Sequence, residues 1–205
     1  MCTVPVAPSQ DTEGLCGRPL GLAFHRKSGD LYIADAYKVL MRVGPDGGEV
    51  EVLATSAGGV PFNFVNDIDI DQATCDVYFT DNSVTFNTEI MMNADGEAAK
   101  VRRGDEAGDI AQGRLAVPQR RRDLPGYPDN VRRDEKGGYW VVLNQYKGRP
   151  GATAAPLKHL VGVRLDGGCV EVEELTAAKG VTLNEVPERK GQLWLGSVEL
   201  DYIVA

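Results

Sequence analysis

Two stretches of this chain share one design. They are Asn66-Asp-Ile-Asp-Ile-Asp71, followed by Asp76-Val-Tyr-Phe-Thr-Asp81, and Asp129-Asn-Val-Arg-Arg133, followed by Gly138-Tyr-Trp-Val-Val-Leu-Asn144. In each, an adjacent Asn and Asp stand at the head of a first strand, a short polar turn follows, and the second strand has an aromatic residue near its middle. Alternation of polar and apolar residues over a short run predicts a β-strand. The two stretches therefore predict two hairpins of the same kind.

The design occurs four times along the chain. The four copies span residues 18–36, 64–81, 127–144 and 181–197. The central aromatic residues, which are spaced 46, 62 and 54 residues apart, are Tyr32, Tyr78, Trp140 and Trp194. Spacing of this size is typical of the blades of a β-propeller, and we expect these aromatic rings to pack between blades.

Further hairpins between the copies would complete each repeat. Residues 39–53 contain two alternating strands around Gly44-Pro-Asp-Gly-Gly48, and residues 160–175 contain two around Asp166-Gly-Gly168. Asp-Gly between alternating apolar runs is a strong hairpin signal. The repeat is therefore four antiparallel strands, and we predict an all-β propeller with about four blades. The alternative is an antiparallel sandwich whose hairpins resemble one another by coincidence.

Composition and charge argue against several classes of function. Lys and Arg number 22 against 30 Asp and Glu, so the formal net charge of −8 disfavours nucleic acid as a partner. No apolar run is long enough for a transmembrane helix, and residues 1–10 lack the basic start and apolar core of a signal peptide. As written, the chain would stay in the cytoplasm. Its four cysteines lack the CxxC spacing of a zinc site.

Nucleophilic catalysis by a Ser-His-Asp or Cys-His arrangement has little support in the sequence. The chain has two histidines, His25 and His159, and no Gly-x-Ser-x-Gly elbow. We expect His25 to lie solvated in the turn of the first copy, and His159 to open a strand of the last repeat.

Three asparagines occupy matching places in three of the copies. Asn66, Asn130 and Asn184 each lie near the head of the first strand. Because the innermost strands of a propeller run along its central channel, we predict that these side chains form a shared polar cluster at one mouth of the channel.

The chain resembles the plant strictosidine synthase-like family, which is related to adipocyte plasma membrane-associated protein. The matching motifs cover roughly two thirds of the chain and include Cys16-Gly-Arg-Pro-Leu-Gly-Leu-Ala-Phe24, Val60-Pro-Phe-Asn-Phe-Val-Asn-Asp-Ile-Asp-Ile-Asp71, Leu124-Pro-Gly-Tyr-Pro-Asp-Asn-Val131 and Gly137-Gly-Tyr-Trp-Val141. The resemblance implies a six-bladed propeller, a small-molecule substrate, and a location in the vacuole or secretory pathway. Strictosidine synthase itself condenses tryptamine with secologanin, and more distant relatives are calcium-dependent lactonases and arylesterases.

Measured against that family, the chain is expected to be incomplete. A complete member begins with a further blade, and residues 87–122 are rich in Gly, Ala and Arg without convincing strand pairs. We therefore divide the chain into N-terminal blades (1–86), an irregular segment that replaces blade material (87–122) and C-terminal blades (123–205). An open propeller leaves apolar flanks uncovered, so we expect self-association.

The resemblance also implies the residues of a site. The positions that would face the channel or substrate are Asn66, Asp67, Asp129, Asn130, His159 and Asn184. In the calcium-dependent relatives the first four of these positions belong to the metal site. Here a Pro-Asn-Gly loop and a first-blade glutamate of the family are missing. We expect that no cofactor is required and that calcium, if bound, is held weakly by Asn66, Asp67, Asp129 and Asn130.

The cysteines also find counterparts in the family. Complete relatives keep a pair of cysteines at the positions of Cys2 and Cys16, which implies a disulfide between these two. Cys75 and Cys169 are expected to remain thiols.

The resemblance implies that Asn184 occupies the position of the catalytic glutamate of strictosidine synthase. An amide cannot act as the general base of that condensation, and Glu185, one residue along a strand, would face the opposite side. We therefore expect a hydrolase acting on an ester or lactone of a small molecule. The alternative is a catalytically inactive propeller fragment with a binding role or none.

We predict that the purified chain forms no strictosidine from tryptamine and secologanin, because Asn184 cannot accept the proton. Product formation followed by liquid chromatography and mass spectrometry tests this, with strictosidine synthase as the positive control. Turnover well above the uncatalysed background would refute it. Asn184→Glu should not restore activity, because the missing blade material removes part of the pocket wall.

Overall fold

The computed structural model describes residues 10–57, 60–81, 100–103, 122–123, 127–144, 158–168, 170–178, 181–198 and 203. Predictions that fall on other residues, including Cys2, Cys169 and most of residues 87–122, lie outside this part of the chain. The helix that it contains, α1 (Gln10–Cys16), is far too short to cross a membrane, and none of the described helical residues forms a span of sufficient length and hydropathy.

The remaining elements are β-strands. In chain order they are β1 (Pro19–Phe24), β2 (Leu31–Asp35), β3 (Val39–Val43), β4 (Glu51–Ala54), β5 (Ser56–Ala57), β6 (Val60–Pro61), β7 (Val65–Ile70), β8 (Val77–Asp81), β9 (Lys100–Arg103), β10 (Arg122–Asp123), β11 (Tyr127–Arg133), β12 (Tyr139–Asn144), β13 (Lys158–Leu165), β14 (Glu171–Ala178), β15 (Glu188–Arg189) and β16 (Gln192–Leu193).

Three four-stranded antiparallel sheets form the body of the structure. Their orders are β1-β2-β3-β4, β7-β8-β9-β10 and β11-β12-β13-β14, so each sheet is an up-and-down meander of consecutive strands. The first strands of the three sheets lie side by side, because β1 contacts β7 and β7 contacts β11. These are the blades of a propeller, with β1, β7 and β11 innermost. The predicted all-β propeller with about four blades is confirmed.

The fourth copy forms a shorter hairpin than its predecessors. Strands β15 and β16 pair around a turn in which Lys190 and Gly191 have positive φ of 54° and 72°. Pro187 has no N–H group, so it interrupts the ladder, although its carbonyl oxygen still accepts the N–H of Trp194 at 2.9 Å. One isolated bridge, between Glu185 and Gly196, continues the pairing towards the channel.

The expectation that residues 87–122 contain no strand pairs is wrong at two places. Strand β9 pairs with β8, and β10, which begins at Arg122, pairs with β9. The sequence of β9 is Lys-Val-Arg-Arg, so its single apolar residue gives almost no alternation to detect. The open edge of β8 supplies the backbone groups that make this polar segment a strand.

The hydrophobic core lies between the blades. One cluster joins the first two blades and includes Tyr32, Leu40, Ile68 and Phe79. A second joins blades two and three, where the rings of Tyr78 and Tyr139 stack at 3.5 Å between centroids.

A third cluster carries the packing onto the last hairpin. It surrounds Trp140, whose Nε1 donates to Glu188 Oε2 at 3.1 Å. The expected packing of the aromatic residues between blades therefore holds for Tyr32, Tyr78 and Trp140. Trp194 differs, since it remains 42% exposed.

One face of β1 remains uncovered. Leu20, Leu22 and Phe24 alternate along the strand and all three are exposed. An exposed apolar row of this kind is the feature on which the expected self-association depends, and that expectation stays a prediction.

Gly21 sets how closely the first two blades approach each other. A Cβ atom at this position would lie 2.6 Å from the Cα of Asp67 and 2.8 Å from the backbone nitrogen of Ile68. Both obstacles are backbone atoms of β7, which cannot move without displacing the whole strand.

We predict that Gly21→Ala lowers the free energy of unfolding by about 1 to 3 kcal/mol through overpacking. The matched control is Gly44→Ala, because a Cβ at Gly44 meets nothing within 4 Å. That variant should stay within about 0.5 kcal/mol of the wild type. Equal stability of both variants in urea denaturation would show that the close approach of β1 and β7 is absent in solution.

Candidate functional site at the head of the innermost strands

Irregular pairing occurs at the predicted polar residues of β7 and β11. The register of β7 against β8 shifts between Val65 and Ile68, and the register of β11 against β12 shifts between Pro128 and Val131. The shifts cover Asn66-Asp67 in one strand and Asp129-Asn130 in the other. Because a bulge re-aims the side chains that it contains, neighbouring residues can face the same cluster.

Asp129 is the hub of one half of this cluster. Its Oδ1 accepts a hydrogen bond from Asn66 Nδ2 at 2.9 Å, and its Oδ2 accepts one from Asn184 Nδ2 at 2.7 Å. The Asn184 Oδ1 in turn accepts the N–H of Val198 at 2.9 Å. Three predicted site residues from three repeats are thus brought together.

Arg132 is the hub of the other half. Its Nη1 is ion-paired with Asp67 Oδ2, and its Nη2 lies 2.7 Å from Glu185 Oε2. Asn130 Nδ2 donates to the same Glu185 oxygen at 2.9 Å. The second Glu185 oxygen, Oε1, is buried without a hydrogen-bond partner among the described residues.

The expectation that Glu185 faces away from Asn184 is wrong, since both side chains enter the cluster. The N–H groups of Asn184 and Glu185 both bond to the carbonyl oxygen of Gly196, at 2.9 and 3.2 Å. Two successive N–H groups that converge on one acceptor do not have the geometry of a regular strand, where side chains alternate.

A row of carboxylates joins the second blade to the third. Asp67 Oδ2 accepts the N–H of Val131 at 2.8 Å, and Asp69 Oδ2 accepts the N–H of Arg133 at 2.7 Å. Asp71 completes the row through an ion pair with Arg133 Nη2 at 2.8 Å. Asp67 and Asp69 of β7 therefore act as side-chain partners for the backbone of β11, and Asp71 in the following turn pairs with the side chain of Arg133. Their spacing of two residues was the signal available in the sequence.

Burial and neighbouring charges shift the pKa values of Asp67 and Arg132 in opposite directions. Burial raises the pKa of Asp67 to about 6, although the Arg132 guanidinium and the N–H groups of Val131 and Ile68 lower it. For Arg132, burial acts to lower the pKa, but the carboxylates of Asp67, Glu185 and Asp69 outweigh burial and the net shift is upward. Arg132 therefore stays a cation.

A cavity of about 320 Å³ adjoins this row, since Asp69 and Arg132 belong to its lining. Its lining comes from β1, from β7 and its turn, and from β11, namely Leu22, Ala23, Phe24, Arg26, Ile68, Asp69, Gln72 and Arg132. Sequence reasoning did not identify Asp69 or Arg132, because neither belongs to the repeated Asn positions.

The four predicted metal ligands do not fit a cation as they are arranged. Asn66 and Asn130 present amide nitrogens to carboxylates, and Asp67 is paired with a guanidinium. Asp129 accepts hydrogen bonds on both oxygens. Within the described part of the chain, no group of three His, Cys, Asp or Glu side chains is placed to hold a metal ion. Arg132 supplies the positive charge here.

The histidines and cysteines have different outcomes. His25 is buried, at 5% exposure, so the expectation of a solvated His25 is wrong; the turn that carries it packs against the turn after β7. His159 pairs with Ala177 through the backbone of β13, which belongs to the third sheet, so the expectation that it opens a strand of the last repeat is wrong. Its side chain lies outside the described part of the chain. Cys16 is disulfide-bonded and Cys75 is a free thiol. The partner of Cys16 is not among the described residues, so the pairing with Cys2 stays a prediction.

We predict that Asp67 makes stability depend on pH between about 4 and 6. Its pKa is near 3.8 in the unfolded chain and about 6 in the folded one, so the folded state holds the proton more tightly. The stabilising effect is complete below pH 4 and is lost as pH rises through 6. Relative to Asp67→Asn, the wild type should lose about 3 kcal/mol of unfolding free energy over this interval.

Urea denaturation at several pH values measures this difference. The exposed Asp46→Asn variant controls for the loss of one carboxylate. A difference between wild type and Asp67→Asn that is flat, or that grows with pH, would contradict the shift.

The amino-acid sequence of the chain is similar to those of several known proteins. The chain is 32% identical to protein strictosidine synthase-like 10 of Arabidopsis thaliana, in an alignment covering 98% of this chain and 72% of that one. It is 31% identical to adipocyte plasma membrane-associated protein of Salmo salar, covering 72% and 46% of the two chains. No protein-family model matches the chain.

Among solved structures, a gluconolactonase from Xanthomonas campestris superposes with a TM-score of 0.45 and 16% identity, over 85% of this chain and 67% of that one. That likeness is too remote to support a conclusion about this chain.

The Arabidopsis alignment extends over 271 positions, 66 more than this chain has residues, so the relative contains stretches within it that have no counterpart here. With 32% identity over 98% of its own length and 72% of that relative, the chain belongs to the strictosidine synthase-like family.

Proposed function

We propose that this chain hydrolyses an ester or lactone of a small molecule in the cavity between β1, β7 and β11. The observation that carries the proposal is the presence of Arg132 and Asp69 in the lining of that one cavity. A fixed cation and a carboxylate are the two groups that hydrolysis of a carbonyl compound needs most.

The cavity suits a compact substrate. Its volume of about 320 Å³ lies at the lower end of the range for small-molecule sites. Leu22, Phe24 and Ile68 contribute apolar groups to a lining that is mainly polar, and Gln72 and Arg26 contribute polar ones. A ring with one ester or lactone group would match this distribution.

Arg132 is held ready for a developing negative charge. Its Nη1 bonds to Asp67 and to the Val131 carbonyl oxygen, and its Nη2 bonds to Glu185. A guanidinium has five N–H donors, so donors remain for a substrate oxygen. Because its partners fix the side chain before substrate arrives, little reorganisation accompanies the reaction.

Asp69 is placed to accept a proton. Its carboxylate is oriented by the N–H of Ile70 at 2.8 Å and by that of Arg133 at 2.7 Å. Each carboxylate oxygen keeps a further lone pair for a water molecule. We assign Asp69 as the general base.

The chemical steps follow from these placements. Asp69 takes a proton from water as the water oxygen bonds to the carbonyl carbon, and the carbonyl oxygen becomes an oxyanion beside Arg132. The carbon–oxygen bond to the leaving group then breaks, and the leaving alkoxide takes the proton from Asp69. A lactone opens to a hydroxy acid, and an ester gives an acid and an alcohol. No step needs a metal ion.

The second candidate is a propeller that binds such a molecule without turnover. One observation favours it, namely that the Arabidopsis relative contains stretches with no counterpart in this chain. The expected placement of the Asn184 amide at the family's glutamate position points the same way. Binding and hydrolysis must therefore be measured separately.

Hydrolysis of a panel of aryl esters and of five- and six-membered lactones tests the proposal. We predict that Asp69→Asn, which retains an oxygen for the Arg133 N–H, lowers kcat about 100-fold or more with little change in KM. Arg132→Lys keeps the positive charge but loses the planar set of guanidinium N–H donors, and should lower kcat as well. The exposed Lys27→Ala variant is the matched control and should keep full activity.

Three outcomes would count against hydrolysis by this route. Saturable binding without turnover of any panel member would favour the second candidate. Full activity of Asp69→Asn would exclude Asp69 as the base. Loss of activity in a chelator, with recovery on adding calcium, would overturn the metal-independent mechanism.

A further inference from the structure

We propose that Cys75 and His25 form a second reactive site, a thiol activated by an imidazole, which reacts with peroxides. The site lies between the turn that follows β1 and the turn that follows β7. It shares no residue with the polar cluster or with the cavity lining. A continuous chain of hydrogen bonds connects its residues.

The relay runs from sulfur to carboxylate. Cys75 Sγ lies 3.3 Å from His25 Nε2, and His25 Nδ1 lies 2.8 Å from Ser28 Oγ. Ser28 Oγ donates to Asp30 Oδ2 at 2.8 Å. Asp30 is itself within 3.7 Å of the Arg42 guanidinium.

The partners fix the direction in which protons can move. Ser28 gives its only hydroxyl hydrogen to Asp30 and also accepts the Asp30 N–H at 3.3 Å. It therefore faces His25 Nδ1 as an acceptor, so that Nδ1 carries the hydrogen. His25 Nε2 is then the unprotonated nitrogen, and it faces the thiol of Cys75. Transfer of the thiol proton to Nε2 gives a thiolate beside an imidazolium whose other N–H is already bonded.

The two turns are held together independently of this contact. The N–H of Arg26 donates to Gln72 Oε1 at 2.8 Å, and Gln72 Nε2 donates to the Phe24 carbonyl oxygen at 3.0 Å. Within the second turn, the N–H of Cys75 bonds to the Asp71 carbonyl oxygen at 2.8 Å. His25 and Cys75 are thus brought together by the blade contact, and not by their own attraction alone.

Burial divides the site into two parts. His25 is 5% exposed, whereas Cys75 is partly exposed. The proton acceptor is therefore shielded from water, while the residue that carries the thiol is partly exposed, as reactive cysteines commonly are.

The chemistry balances with a peroxide as the only co-reactant. The thiolate sulfur attacks one oxygen of the peroxide, the oxygen–oxygen bond breaks, and the leaving oxygen takes the proton that His25 received. Sulfur is oxidised from thiol to sulfenic acid, and the peroxide is reduced to an alcohol or to water. Attack on a peroxide needs no oxyanion hole, and the described residues around Cys75 supply none.

Alkylation kinetics test the activation directly. The full chain is treated with iodoacetamide at pH 7, and modification of Cys75 is followed by peptide mass spectrometry. We predict that Cys75 reacts about 10-fold or more faster in the folded chain than in the chain unfolded in urea. His25→Asn should bring the folded rate to or below the unfolded rate, and Ser28→Ala should reduce it several-fold. Lys27→Ala, between these two positions, should leave it unchanged.

Oxidation is the second measurement. Hydrogen peroxide, followed by dimedone, should trap one sulfenic acid at Cys75, and Cys75→Ser should trap none there. Circular dichroism checks that each variant folds. If His25→Asn does not fold, the exposed Ser28→Ala variant still decides the question.

Three results would contradict the proposal or part of it. A folded rate at Cys75 no higher than the unfolded rate would show that His25 only provides a hydrogen-bond partner for the thiol. A rate that Ser28→Ala leaves unchanged would show that the relay does not act. Fast alkylation without dimedone trapping would remove peroxides as the reactant class.

Discussion

The hydrogen bonds from the Val131 and Arg133 N–H groups to the carboxylates of Asp67 and Asp69 are the contacts on which the rest of this structure depends. An innermost blade strand pairs with its neighbour on one side only, so alternate N–H groups point towards the next blade with no strand there to receive them. A buried N–H without a partner costs free energy comparable to a lost hydrogen bond. Asp residues two apart on β7 meet this need.

These contacts have an electrostatic cost that shapes the site. Burying Asp67 at 5% exposure works against its charged form, and a nearby cation offsets this cost. Arg132 provides that cation and is held by the same carboxylate together with Glu185. A structural requirement at the blade contact thereby places a fixed guanidinium at the cavity wall, where the proposed hydrolysis uses it.

Much of the fold could be predicted from the sequence because blades repeat. The strands with strong alternation, such as β7 and β13, and the shared position of the three asparagines follow from period and spacing alone. Strand β9 could not be predicted, because its pairing comes from the open edge of β8 rather than from its own residues. Glu185 was misplaced for a similar reason: strand alternation is a rule for regular ladders, and the chain at Asn184 is irregular.

The reactive groups away from the repeat were hardest to foresee. Arg132 looks like one of many surface arginines until the row of Asp residues on the adjacent blade is known. His25 and Cys75 are 50 residues apart in the chain, and only the packing of two turns brings them within hydrogen-bond distance. Sequence patterns predict local structure well, whereas contacts between blades depend on how the folded sheets pack against one another.

Hydrogen exchange of single backbone amides tests the central claim most directly. In the wild type, the amides of Val131 and Arg133 should exchange as slowly as the paired amides of β12, although no strand pairs with them through its backbone on that side. In Asp69→Ala, exchange at Arg133 should become about 10- to 100-fold faster, while Val131, bonded to Asp67, stays protected. Rapid exchange of Arg133 in the wild type, or exchange that Asp69→Ala does not change, would contradict the carboxylate contact between the blades.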